Sequence, residues 1–100
     1  MKKITTTIAL LLLATPAVAQ NSEAQRVARE LAIIVGYHQN CQRIPDRVQG
    51  RIGIDMGRVP QAIMDAAISA AADEAATSGR DKFCRDHYVE AQVTLQRYGW

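Results

Sequence analysis

Large rings, proline and cysteine are scarce in this 100-residue chain, which has one Phe, one Trp, three Tyr, three Pro and two Cys. A core built from it must rest on aliphatic side chains and alanine, and two cysteines permit a single disulfide pairing. An excess of charge is also missing. Residues 20–100 carry ten basic and ten acidic side chains, so the long-range attraction behind most nucleic-acid binding is absent and no nucleic-acid partner is expected. The chain contains no Gly-x-Ser-x-Gly, Cys-x-x-Cys, Cys-x-x-Cys-His, phosphate-cradling glycine loop or His-Glu-x-x-His. The hydrolase, redox, haem, nucleotide and metalloprotease signatures fail together, and neither catalysis nor a cofactor is expected. No repeat, low-complexity tract or strand-like alternation competes with a helical reading.

What is present begins with an address. Met1-Lys2-Lys3 is a short cationic start, Ile4 to Leu13 turns Leu-rich, and Thr15-Pro16-Ala17-Val18-Ala19 ends in the small-x-small pattern that signal peptidase accepts. The apolar run is about eleven residues, well short of the roughly twenty needed to cross a bilayer. Residues 1–19 are therefore expected to be a signal peptide cleaved after Ala19, leaving 20–100 as a single small helical domain. No cysteine follows the cleavage site to carry a lipid, and no later stretch is apolar enough to span a membrane. The expected location is a bacterial periplasm or, failing that, the medium.

Export changes the chemistry of Cys41 and Cys84, because a pair of cysteines in a small exported domain is expected to be oxidised. Closing a loop of about 44 residues removes denatured-state entropy worth roughly 4 kcal/mol on the chain-entropy model.

The spacing of apolar residues predicts the helices. Ser22 and Gln25 have the form of a capping box, placing a helix start near Glu23, and Val27, Leu31, Ile34, His38 and Cys41 then recur at four, three, four and three, broadened by Ala24, Ala28 and Val35. Gly36 is a weak point costing roughly 1 kcal/mol against Ala, and Pro45 stops the helix at about Gln42. Residues 43–59, interrupted by Gly50, Gly53 and Gly57, read as a structured connector of short turns in which Val48, Ile52 and Met56 keep a four-residue spacing. Pro60 opens an Ala-rich helix over Gln61 to Thr77, ended by Gly79, with Ile63, Met64, Ala67, Ile68, Ala71 and Ala75 inward. Asp81 caps a last helix running to about Tyr98, with Cys84, Tyr88, Ala91, Leu95 and Tyr98 inward. The fold class expected is all-α: a small three-helix, or irregular four-helix, bundle stapled by one disulfide, Cys41–Cys84, which sets the first and last helices antiparallel.

Several constellations remain open on the sequence. His38-x-x-Cys41 and Cys84-x-x-His87 mirror each other, and two readings compete: four ligands around a zinc ion, or an oxidised pair with the histidines as packing neighbours; oxidation favours the second. His38 and His87 are candidate pH-sensing groups, the alternative being a satisfied core histidine. Arg43, Arg47, Arg51 and Arg58 form the densest positive cluster and read either as a solvated loop or as a site for an anionic partner. Val89 and Val93 point away from the last helix's inward stripe, with Asp86 and Arg97 alongside and Trp100 at the end, a partner face if the bundle leaves them uncovered. Asp65 and Asp73 read as a solvated face rather than an acid/base pair.

In size, export, all-helical pattern and a single disulfide spanning much of the chain, the protein resembles the acid-activated periplasmic chaperones of the HdeA type. The likeness is one of architecture: Asn40-Cys41-Gln42 stands where those proteins have a Trp-x-Cys opening, and no residue role is carried over. It is similar in compactness also to the small pilotins of type II secretion, which are lipid-anchored through a cysteine this chain lacks. The functional expectation is a non-catalytic exported interaction protein that binds another protein as inhibitor, adaptor or secretion accessory. An acid-stress chaperone, implied by the first resemblance, and a metal-handling protein using His38, Cys41, Cys84 and His87 are the alternatives. A weak homodimer is compatible with the same reading.

Overall fold

The computed structural model describes residues 2–100, with side chains from residue 21 onward. The signal peptide expected at 1–19 and its cleavage after Ala19 lie outside the residues whose side chains are described. The described residues form five helices and no strand: α1 (Lys2–Asn40), α2 (Asp46–Met56), α3 (Gln61–Ser78), α4 (Arg80–Asp86) and α5 (Tyr88–Arg97). The fold is all-α, a small bundle with one disulfide, Cys41–Cys84. Among the described residues, no helix is long and apolar enough to cross a membrane.

Helix α1 is the axis of the bundle. Glu23, Arg26 and Glu30 make an exposed ladder of ion pairs at i,i+3 and i,i+4, while Ala28, Leu31, Ala32, Ile33, Ile34 and Tyr37 are buried. The buried surface is wider than the single stripe expected, because α1 touches all four other helices and a helix enclosed on several sides needs apolar residues round much of its circumference. Asn21 and Ser22 are already helical, so Ser22 does not cap the helix despite its capping-box spacing to Gln25.

The connector condenses into a true helix. Pro45, with φ −57° and ψ 145°, sits at the N-cap of α2, and its carbonyl accepts the N–H groups of Val48 and Gln49 at 3.0 Å each. Asp46 occupies the first turn, where a negative charge complements the helix dipole. Burial of Val48 and Ile52 outweighs the propensity cost of Gly50 and Gly53, so packing overrides local preference here.

Helix α3 follows the sequence closely, with Met64, Ala71 and Ala75 buried and Ile63, Ala67 and Ile68 packed against the core. It ends at Gly79, whose φ of +87° and ψ of 152° lie in a region only glycine enters readily. Gly79 also stands at the N-cap of α4, so a single residue joins two helices. That geometry corrects the expected cap: Asp81 makes no capping bond and sits in the first turn of α4.

The last helix bends at His87, where φ −104° and ψ 6° separate α4 from α5. Its inward face is Phe83, His87, Ala91, Thr94 and Leu95, with Tyr98 packed at the end. Ala91, Leu95 and Tyr98 lie where expected, but Cys84 is half-buried and Tyr88 is 55 % exposed. Within α4 the inward stripe is therefore turned by one residue. Cys41 and Cys84, with Cα atoms 5.6 Å apart, join the end of α1 to α4, and α5 then returns antiparallel along α1, with Gln92 at Tyr37 and Arg97 further on at Glu30.

Candidate functional site

At the disulfide corner, Tyr37, Asn40, Arg80, Asp81, Arg85 and Tyr88 surround the two sulfurs in an open groove of about 710 Å³. The Arg80 Nε donates to the Asn40 carbonyl at 2.5 Å, tying α4 to the end of α1 beside the disulfide. The structure does not bring His38, Cys41, Cys84 and His87 together as a ligand set. The sulfurs are bonded to each other, and each histidine is occupied elsewhere. Among the described residues, no group of three or more His, Cys, Asp or Glu side chains is arranged to hold a metal ion.

His38 is half-buried, and its Nδ1 accepts the Ile44 N–H at 2.9 Å. That bond closes the turn between α1 and α2. His87 is bound differently. Its ring is buried, 4.7 Å from the Phe83 ring centroid, with Nε2 facing the Glu74 carboxylate of α3 and Nδ1 facing that of Glu90. Burial alone pulls the imidazole pKa down, but hydrogen bonds to the two carboxylates outweigh it and hold the group above the ordinary histidine value. Glu90 also receives Arg29 of α1 at 3.3 Å, so α1, α3 and α5 share one charged network. The sequence pairs His87 with Glu90 by i,i+3 spacing; Glu74, thirteen residues away, could not be found by spacing.

The outer face of α5 is open. Val89 is 72 % exposed and Val93 54 %, and with Gln96 they follow i, i+4 and i+7, opposite the buried Ala91, Thr94 and Leu95. Within α5 no charged residue lies on that line, and Asp86, three residues before Val89, is paired with Lys82 at 2.6 Å. Of the other two residues expected on this face, Arg97 is turned to Glu30 at 2.9 Å and Thr94 Oγ1 at 3.2 Å. Trp100, 38 % exposed, lies past the helix end. Arg51 Nη1 donates to the Tyr98 carbonyl at 3.4 Å, so the final residues run beside α2.

A second link between α5 and α2 was not visible in the sequence. The Tyr98 hydroxyl donates to Asp55 Oδ2 at 2.5 Å, and burial first, then this bond, pushes the phenol up to about 12. Arg43, Arg47, Arg51 and Arg58 are all exposed on or beside α2, and Arg58 reaches Asp55 at 3.4 Å. Asp65 and Asp73 are exposed on α3. Comparison with known protein families, with curated proteins and with solved structures finds no match to this chain.

Proposed function

We propose that the chain is a non-catalytic protein exported to the periplasm, where it binds another protein through the outer face of α5 as an inhibitor, adaptor or secretion accessory. The observation that carries this reading is the exposure of Val89 and Val93. β-branched residues at exposed helical positions lower helix propensity by up to roughly 0.7 kcal/mol each relative to Ala and gain no burial in return. Stability of the isolated fold gives no reason for two of them on an uncharged line. The disulfide and the lack of a membrane-capable helix among the described residues are compatible with an exported product. A photo-crosslinking residue at position 93, introduced in the exporting cell, tests the reading. A single crosslinked protein, lost when Val89 is changed to Asp, supports it; no crosslinked species overturns it.

A second reading, the acid-stress chaperone, has one observation in its favour. Four ties that hold the α5 region to the bundle end on carboxylates: Arg97 to Glu30, Arg29 to Glu90, His87 to Glu74 and Tyr98 to Asp55. Protonating those acids discharges all four while the disulfide keeps α4 attached. A hydrophobic dye distinguishes the readings: binding that rises between pH 7 and pH 3 with clients recovered only in acid supports the chaperone, and no rise removes it.

A further inference from the structure

The arginines of α2 are used by neither reading, and their surroundings differ from those of the other charged side chains. Arg47, Arg51 and Ile54 stand at i, i+4 and i+7 on an exposed face beside the one that buries Val48 and Ile52, with Arg43 just before the helix and Arg58 just after it. Ile54 is 61 % exposed among them. Arg43 and Arg47 enter no ion pair among the described residues; of the two nearby acids, Asp55 is engaged by Tyr98 and Arg58, and Asp46 is exposed and accepts from Gln49 Nε2 at 3.4 Å. Nothing lies within 4 Å of where a β-carbon would stand on Gly50 or Gly53, so this side of the helix is uncovered, and the side chains exposed along it are Arg47, Arg51, Ile54 and, in the first turn, Asp46. Arg51 holds the Tyr98–Gly99 segment, which Trp100 follows directly in the chain.

We propose that this face docks the protein on an anionic phospholipid surface. The planar guanidinium groups match phosphate oxygens in bidentate geometry while their aliphatic stems lie along the apolar boundary. Ile54 and Trp100 supply the partial insertion that a charge pair with an acidic protein does not need, since apolar and indole side chains partition into the headgroup region. An acidic protein fits the arginines but leaves the exposed Ile54 without a role. The four cations suffice for a reversible, salt-sensitive attachment, each worth about fivefold in affinity near an anionic surface.

The test uses the oxidised protein as its cell exports it, with Trp100 as the sole indole reporter. Vesicles containing phosphatidylglycerol are expected to sediment the protein and shift Trp100 emission to the blue, whereas pure phosphatidylcholine vesicles do neither. R43Q with R47Q, both exposed and unpaired, is expected to weaken binding about 25-fold with an unchanged circular dichroism spectrum. Ile54→Ser is expected to reduce the blue shift and leave the salt dependence intact. Equal binding to both kinds of vesicle, no binding at low salt, or indifference to R43Q and R47Q overturns the proposal. Binding to soluble polyglutamate without binding to vesicles also overturns it and assigns the face to an acidic protein.

Discussion

The ring of Phe83 fills the notch that Gly36 leaves in α1. A β-carbon on Gly36 would lie 3.0 Å from Phe83 Cζ, and Phe83 is fully buried. The residue that looks like a defect in the first helix is thus the socket for the chain's one phenylalanine. Gly36→Ala gains about 1 kcal/mol of helix propensity but crowds the ring at a cost of about 1–3 kcal/mol, so a net loss near 1 kcal/mol is expected. Gly36→Val loses more, about 2 kcal/mol or above. Urea unfolding of the oxidised protein measures both. Phe83→Leu, which shortens the contact, is expected to make Gly36→Ala stabilising in the double mutant; strict additivity of the two changes contradicts the socket.

The disulfide closes the same corner from the other side. Changing Cys84 to Ala, together with Cys41 to Ala, is expected to cost about 4 kcal/mol, a large fraction of what a domain of this size possesses. Thermal unfolding followed by circular dichroism, with and without a reducing agent, checks it. Reduction should bring the native protein down to the level of the double variant and leave that variant unaffected.

His87 predicts a definite sign of pH dependence. Its pKa is raised in the fold, so its stabilisation is complete below the ordinary histidine value near 6.5 and disappears as pH rises through the folded value. Deprotonation leaves one N–H for two carboxylates, and either Glu74 or Glu90 then faces a lone pair. His87→Gln is expected to lose about 1–2 kcal/mol at pH 6 and to approach the parent protein at pH 9. NMR titration supplies the second check: a His87 midpoint at or below 6.5 contradicts the assignment.

Tyr98 carries a separate alkaline signature. Its phenol is pushed up to about 12, so an absorbance titration is expected to show a step there that vanishes in Tyr98→Phe. Because this pKa is also raised, the stabilisation is present below about 10 and lost as pH rises through about 12. Loss of the Asp55 bond is expected to cost about 1 kcal/mol at neutral pH.

These features mark where periodicity is informative. Ile63, Met64, Ala67, Ile68, Ala71 and Ala75 were readable because α3 is uninterrupted and has one inward side. Ala91, Leu95 and Tyr98 were readable for the same reason within α5. Phe83 and His87 were hidden behind Cys84 and Tyr88, since a seven-residue repeat assumes a straight helix and the chain bends at His87. The bend is fixed by contacts remote in sequence, with Glu74 on α3 and the Gly36 notch on α1. Local propensity likewise understated α2, where Val48 and Ile52 gain burial that Gly50 and Gly53 cannot cancel. Among the candidate site residues, helical spacing alone placed Val89 and Val93 off the inward stripe, while their exposure and the capture of Arg97 by Glu30, 67 residues away, required the tertiary structure.

Val89 and Val93 allow fold and binding to be separated by substitution. Neither side chain is buried, so Val89→Ser with Val93→Ser is expected to change unfolding free energy by less than about 0.5 kcal/mol each. Replacing both with Ala should raise it slightly through helix propensity. If the face binds a partner, both double variants lose the crosslinked species formed from a probe at Gln96, on the same line, and the serine pair loses it more completely than alanine because it removes apolar area and adds polar groups at the contact. Arg97→Gln is the contrast. It breaks the tie to Glu30 and is expected to lower stability by up to about 1 kcal/mol while sparing the crosslink. A serine pair that destabilises the fold by 2 kcal/mol or more would mean that the valines are buried in the protein's native state, and the face would not be available to a partner.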